Sequence, residues 1–217
     1  MLRTRVKICG ITRIQDVEAA CEAGADAIGL VFYPKSSRLV SLEQARSLRK
    51  AVPAFVSVTA LFVNVPHEQV RQVLDTVGPD VLQFHGDETP DYCAGFDQPY
   101  MKAFRVGGPG LENPQAVLES CRRYSHAAAW LFDSYSPGYG GSGLTFDIGL
   151  LDEVRRASDS RPLVLAGGLD PLNVGDAVQA VRPYALDVSS GVEESGGIKS
   201  AEKIRAFMQS VYRASFS

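Results

Sequence analysis

Cys9 stands where a thiol can act as a proton carrier. It ends a short strand-like run, Val6–Cys9, and Gly10 and a helix signal follow directly. In parallel α/β folds the carboxyl ends of strands carry the chemistry. Lys7 lies two residues earlier and so faces the same side, where its ammonium would favour the thiolate. A free cysteine is also a common buried apolar filler, and strand position alone leaves both interpretations open.

Asp133 is a second candidate, at the end of another strand-like run. It follows Trp130–Phe132 and opens a glycine-rich loop over 134–143. Desolvation at an apolar strand end favours the protonated carboxyl, which suits a general acid near neutral pH. The glycines suit a mobile cover that closes over a substrate. Alternatively, Asp133 only caps or orders the loop.

The last two predicted strands end in turns rich in glycine and serine. Ala166–Leu169 follows strand seven, and the sequence DVSSGVE over 187–193 ends strand eight. Barrels often bind phosphate between these two loops, because glycine lets the backbone approach an oxyanion and helix-end N–H groups bind it. Either loop alone would be weak evidence, but the two together predict a phosphate site between them.

Further polar residues lie near other predicted strand ends. Arg38, in the loop after strand two, is able to hold a carboxylate in bidentate fashion, although a solvated surface arginine is more common. Gln83 and His85 share the inward face of strand four, where they would position substrate hydroxyls or form a polar layer. His85 has no partner at ligand spacing, so no metal is expected. In a closed barrel, Asp187 would lie beside Lys7 and pair with it.

These residues require a scaffold, and strand-like and helix-like segments alternate along the whole chain. Strands are predicted over 5–9, 25–32, 55–63, 81–85, 100–105, 128–133, 162–166 and 185–188. Helices are predicted over 13–23, 41–51, 66–76, 88–95, 114–124, 147–157, 171–181 and 199–212. Residues 12–15 and 41–44 read as capping boxes, and Asp170 reads as an N-cap before a proline at the first helical position.

Eight strand–helix units predict the α/β class and a single (β/α)8 TIM barrel over residues 1–217. A doubly wound open sheet would usually have fewer strands and a glycine fingerprint after the first one. Here the first turn is Cys-Gly-Ile-Thr, over residues 9–12, which does not match that fingerprint. The closed barrel is therefore favoured.

Composition narrows the class of partner and the compartment. The net charge is −3, from 22 basic and 25 acidic residues with no basic block, so neither a nucleic acid nor a membrane surface is expected to bind. The four cysteines match no C-x-x-C or zinc pattern. The sequence shows no secretory signal and no bilayer-length apolar run, so we expect a cytoplasmic protein with reduced thiols.

Taken together, the ordered segments resemble the phosphoribosylanthranilate isomerase family, from Lys7 to about Phe207. Any one segment would be unspecific, but their number and order make the match specific. The segments that carry the resemblance are 7–12, 29–34, 36–38, 61–64, 83–88, 132–133, 140–143, 166–169 and 187–193.

The resemblance implies the Amadori rearrangement of N-(5′-phosphoribosyl)anthranilate in tryptophan biosynthesis, without a metal or organic cofactor. It places the family's general base on Cys9, its general acid on Asp133 and its clamp for the anthranilate carboxylate on Arg38. Its phosphate loops fall on Gly168, Ser189, Ser190 and Gly191. The expected partner is this small-molecule substrate, and non-covalent contact with neighbouring pathway enzymes stays open. The alternative is a non-catalytic phosphate-ligand binding protein on the same barrel, although such a protein should have lost Cys9 or Asp133.

Overall fold

A closed parallel barrel forms the centre of the protein. The computed structural model describes residues 3–135 and 147–216. Each strand pairs with the next along the chain, and the eighth pairs with the first, which confirms the predicted (β/α)8 fold. The strands are β1 Arg5–Cys9, β2 Ala27–Val31, β3 Ser57–Phe62, β4 Val81–Phe84, β5 Tyr100–Val106, β6 Ala129–Ser134, β7 Leu163–Leu165 and β8 Ala185–Val188.

Helices surround the barrel, and some differ from their predicted bounds. The segment predicted as a helix over 147–157 is divided into a 3-10 turn and a short helix, and the helix predicted from 171 begins three residues later, after a turn. The helices are α1 Ile14–Glu22, α2 Leu42–Ala51, α3 His67–Val77, α4 Pro90–Ala94, α5 Pro114–Arg122, α6 Asp152–Arg156, α7 Val174–Val181 and α8 Ala201–Ser215, with 3-10 turns at Ile148–Leu151 and Ser190–Val192.

A small antiparallel ribbon, absent from the predicted elements, follows the barrel. Its strands are β9, Glu193–Ser195, and β10, Ile198–Lys199. It lies between the last barrel strand and α8 in the chain. We call this element the C-terminal ribbon, and it brings two buried charged side chains to the site described below.

The capping interactions at the starts of the helices agree only in part with those predicted from the sequence. The Ser41 hydroxyl accepts a hydrogen bond from the Gln44 backbone N–H, as in a capping box, but the Gln44 amide donates to the Thr12 carbonyl instead of closing the box. The box predicted at Thr12 is wrong, because its hydroxyl donates to the Gly197 carbonyl in the ribbon. Asp170 caps the turn before α7 rather than the helix itself.

Successive side chains along each strand point alternately to the outside and to the inside of the barrel, so the protein has an outer apolar layer and a separate barrel interior. Val6 and Ile8 point outward into the large apolar layer between the strands and the helices. Lys7 and Cys9 point into the barrel, as predicted. The interior also holds buried polar side chains on other strands, among them Thr59, Gln83 and Asp187. Polar groups therefore lie beneath the carboxyl end of the barrel, where they are able to act on Cys9.

Candidate active site

The carboxyl ends of the strands surround one cleft of about 740 Å³, counted to its open mouth. Side chains from the first strand to the loop after the eighth line it, so groups distant in the chain meet in one place. The cleft brings together eight of the nine residues predicted for the site, namely Cys9, Arg38, Gln83, His85, Asp133, Gly168, Ser189 and Ser190.

Cys9 lies above a buried ion pair. The Lys7 ammonium donates a hydrogen bond of 2.8 Å to Asp187 Oδ1, and both side chains are less than a tenth exposed. This is the pairing that closure of the barrel predicts. Burial raises the pKa of the Cys9 thiol above its ordinary value. The Lys7 charge acts in the opposite direction, as expected, but burial together with the Asp187 charge outweighs it.

A glycine beside Cys9 gives the thiol its space. Gly29 pairs with Cys9 across β1 and β2. A Cβ atom at position 29 would lie 2.8 Å from Cys9 Sγ and 3.0 Å from Lys7 Nζ, closer than side chains pack. Only glycine at this position lets the thiol and the ammonium share one side of the barrel. The sequence pattern alone did not indicate this role.

Asp133 forms the other side of the cleft with His85. Its Oδ2 atom lies 3.2 Å from His85 Nε2, and its Oδ1 atom accepts a hydrogen bond from the Ser134 backbone N–H. The Nδ1 atom of His85 lies 3.2 Å from the amide nitrogen of Gln83. The glycines over 140–143, predicted as a cover, lie outside the described residues.

Arg38 is held by an acidic residue of this chain. Its Nε and Nη2 atoms each donate a hydrogen bond of 2.7 Å to the Glu193 carboxylate, one to each oxygen. The arginine stem passes over Gly10, where a Cβ atom would overlap Arg38 Cδ. Glu193 was not among the predicted site residues, although it ends the DVSSGVE motif. The only signal was its place after the phosphate loop.

The two predicted phosphate loops lie next to each other. Gly168 adopts a positive φ of 63°, and its carbonyl accepts a hydrogen bond from the Asn173 side chain. Ser189 and Ser190 line the cleft from the other loop. Gly191 does not line it, and a Cβ atom there would overlap the Leu169 carbonyl. Gly191 therefore lets the two loops pack together, and its direct contact with phosphate stays a prediction.

An apolar wall completes the cleft beside Cys9. Val31, Leu61 and Val63 form a small buried cluster with the thiol, and the Tyr33 ring packs against it. These side chains lie near the carboxyl ends of β2 and β3 and offer a surface on which a flat ring can pack. The sequence did not reveal this wall, because apolar residues at strand ends look the same whether they pack internally or bind a ligand.

Within residues 3–135 and 147–216, no three histidine, cysteine, aspartate or glutamate side chains converge as metal ligands would. Nor does any helix there have the length and apolar character needed to cross a bilayer. All four cysteines are free thiols.

Known proteins match nearly the whole length of this chain. The family model described as N-(5′-phosphoribosyl)anthranilate isomerase matches residues 6–210. The isomerase of that name from Bordetella bronchiseptica is 60% identical over 210 residues, which are 97% of this chain and 96% of the relative. The one from Pseudomonas savastanoi is 51% identical over 213 residues, 98% of this chain and 99% of the relative.

Solved structures give the same result. The fold is similar to phosphoribosyl anthranilate isomerase from Thermotoga maritima, with a TM-score of 0.87 and 40% identity over 97% of this chain and 99% of the other. The fold is also similar to a structure of phosphoribosyl anthranilate isomerase in complex with reduced 1-(o-carboxyphenylamino)-1-deoxyribulose 5-phosphate. It has a TM-score of 0.84 and 36% identity, with the same coverage of both chains.

Proposed function

The chain belongs to the N-(5′-phosphoribosyl)anthranilate isomerase family, and we propose that its cleft performs the reaction with Cys9 as general base and Asp133 as general acid. The protein is an isomerase of tryptophan biosynthesis. Its reaction converts N-(5′-phosphoribosyl)anthranilate, by an Amadori rearrangement, to 1-(2-carboxyphenylamino)-1-deoxyribulose 5-phosphate. The observation that carries the residue roles is the convergence of the Cys9 thiol and the Asp133 carboxyl in a cleft that is also lined by the loops after β7 and β8.

The first step opens the ribose ring and requires an acid. A proton passes to the ring oxygen as its bond to C1′ breaks, and the amine lone pair forms the C1′=N double bond of a protonated Schiff base. Asp133 lies at the strand end and faces the cleft with a fifth of its side chain exposed. His85 lies next to it with Nε2 directed at the carboxylate, which supports a proton path through this pair.

The second step removes the C2′ proton and requires a base. The positive Schiff base makes that proton acidic, and its loss neutralises the nitrogen and leaves an enolamine. Protonation at C1′ and loss of the C2′ hydroxyl proton then give the ketose. Cys9 is suited to the base role because the Lys7 ammonium beside it stabilises the thiolate, against the burial that raises the thiol pKa. The shift of the thiol pKa above its ordinary value makes the thiolate a stronger base once formed.

The remaining residues bind the substrate without reacting. We propose that Arg38 binds the anthranilate carboxylate through N–H groups that Glu193 does not occupy. The aromatic ring would then pack on the apolar wall, and the phosphate would bind between the loops after β7 and β8. Those loops supply Gly168, Ser189, Ser190 and Gly191. Gln83 and His85 line the cleft and contact each other, and we propose that they position hydroxyl groups of the substrate.

The test follows the fluorescence decay of freshly made phosphoribosylanthranilate after addition of wild-type protein, Cys9→Ala or Asp133→Asn. Fast decay with wild type and strong loss in both variants supports the proposed roles. Cys21→Ala is the matched control, because it removes a free thiol on α1, away from the cleft, and should turn over normally. Near wild-type turnover in either variant would show that the residue has been given the wrong role.

The comparisons give no support to the alternative of a non-catalytic phosphate-ligand binding protein.

Three further predictions concern the location of the protein, its partners and its domain organisation. We propose a cytoplasmic location, supported by the four free thiols, and non-covalent contact with neighbouring pathway enzymes. Fractionation of the source cells tests the location, and co-purification at low salt tests the contact with pathway enzymes. We also propose that residues 1–217 form a single domain, which should unfold in one cooperative transition.

A further inference from the structure

We propose that Glu193 is a positioning residue that sets the preference of this enzyme for a substrate amine carrying a carboxylate. It does so through Arg38, whose guanidinium it fixes in one orientation. The inference rests on the proposed function, in which Arg38 binds the anthranilate carboxylate. It adds that the selectivity belongs to Arg38 and Glu193 as a unit and is lost when either is removed.

The hydrogen bonds divide the guanidinium into two edges. Glu193 occupies the edge formed by Nε and Nη2, with both hydrogen bonds at 2.7 Å. A guanidinium has five N–H groups in a planar fork, so the edge formed by Nη1 and the second Nη2 hydrogen remains. Among the described residues, Nη1 of Arg38 forms no hydrogen bond to the protein. Arg38 lines the cleft, and we infer that this second edge receives the substrate carboxylate.

Glu193 is itself fixed from two sides. The Lys199 ammonium, on the other strand of the C-terminal ribbon, donates a hydrogen bond of 2.7 Å to Glu193 Oε1. Lys203 donates to the Glu193 backbone carbonyl, also at 2.7 Å. The side chains of Glu193 and Lys199 are 5% and 0% exposed. A carboxylate so immobilised has one orientation, and it transmits that orientation to the arginine.

The charges of this group favour an anionic ligand. Arg38 and Lys199 carry two positive charges and Glu193 carries one negative charge, so one positive charge remains on these three side chains, and the Lys203 ammonium adds another beside the Glu193 backbone carbonyl. Burial alone would raise the pKa of the Glu193 carboxyl, but hydrogen bonds from both cations hold it below its ordinary value. The carboxylate is therefore ionised at neutral pH. A substrate carboxylate would neutralise the remaining charge, whereas an uncharged amine would leave it unpaired.

The experiment compares two substrates, phosphoribosylanthranilate and N-(5′-phosphoribosyl)aniline, which lacks the carboxylate. The ratio of their kcat/KM values measures the preference. We expect Glu193→Gln to lower this ratio by about tenfold or more, the effect of misdirecting one charge-assisted contact. Arg38→Ala should lower it at least as far. In the Arg38→Ala background, Glu193→Gln should change the ratio no further, because the two residues act as a unit.

Controls separate positioning from folding. Glu194→Gln makes the same change at the next, exposed residue and should leave the ratio unchanged. Glu193→Gln leaves the buried Lys199 ammonium without its carboxylate, so a second variant, Glu193→Gln with Lys199→Met, removes one charge of each sign. It should show the same fall in the ratio, and thermal unfolding checks that each variant is folded.

The outcomes distinguish the inference from the proposed function. An unchanged ratio in folded Glu193→Gln, or equal losses for both substrates, would overturn the inference and assign Glu193 a structural role. Independent, multiplying effects in the double variant would also overturn it. If Arg38→Ala itself left the ratio unchanged, the proposed carboxylate clamp would be wrong, and the role of Glu193 would fall with it.

Discussion

The buried Lys7–Asp187 ion pair beneath Cys9 allows the pKa of the thiol to be shifted in either direction by single substitutions. Lys7→Met removes the cation that stabilises the thiolate, and Asp187→Asn removes the anion that opposes it. Since only the thiolate is a base, kcat/KM should rise with pH through the pKa of Cys9, which burial has raised. Lys7→Met should move this rise to higher pH, and Asp187→Asn should move it to lower pH.

The size of the loss in kcat/KM follows from the distance between Cys9 and Lys7. One Cβ position at Gly29 lies 2.8 Å from Cys9 Sγ and 3.0 Å from Lys7 Nζ, so these two atoms are within about 6 Å of each other. Two unit charges at that distance interact by about 3 kcal/mol at an effective dielectric constant of about 20. With partial screening, Lys7→Met should lower kcat/KM near pH 7 by between about tenfold and about a hundredfold.

The assay records kcat/KM from substrate fluorescence across the neutral and alkaline range. Lys50→Met, at an exposed position on α2, is the control for loss of a lysine charge. Either single variant leaves a buried charge unpaired at a cost of about 3–5 kcal/mol, so Lys7→Met with Asp187→Asn serves as the stability control. The electrostatic role of the pair would be refuted if the pH at which kcat/KM rises moved in the same direction in both single variants, or did not move in either.

Three further expectations concern catalysis, the phosphate loops and the core. Cys9→Ala and Asp133→Asn should each lower kcat by about a hundredfold or more, with KM changed far less, in steady-state assays. Gly191→Ala places a methyl group against the Leu169 carbonyl, and it should raise KM and lower the thermal unfolding midpoint. Phe132→Ala, at a fully buried position, should lower the free energy of unfolding by about 3–5 kcal/mol in urea.

Several features were predictable because they follow from strand order and alternation. Cys9 and Asp133 end their strands, and parallel strands in a barrel end on one face. The Lys7–Asp187 contact was predictable because closure places β8 beside β1. The eight strands were visible because each apolar run is bounded by turn residues. Their ends were less accurate, as at Phe55, which is fully exposed at a φ of 70° and precedes β3.

The features that were missed depend on tertiary contacts. The C-terminal ribbon consists of three-residue and two-residue strands, too short to show a periodicity. Without it, nothing indicates that Glu193 meets Arg38, which is 155 residues earlier. The net direction of the Cys9 pKa shift was also hidden, because the sequence shows that Lys7 is near but not how completely burial desolvates the thiol. Partner choice and burial are properties of the folded chain.

The site depends on both ends of the chain at once. Ser189 donates a hydrogen bond to the Cys9 carbonyl, Asp187 pairs with Lys7, and Glu193 holds Arg38. During synthesis the first unit leaves the ribosome long before these partners exist. A chain that ends before β8 lacks the partners of Lys7, Cys9 and Arg38, so we expect it to have no turnover until the last barrel strand and the C-terminal ribbon are present.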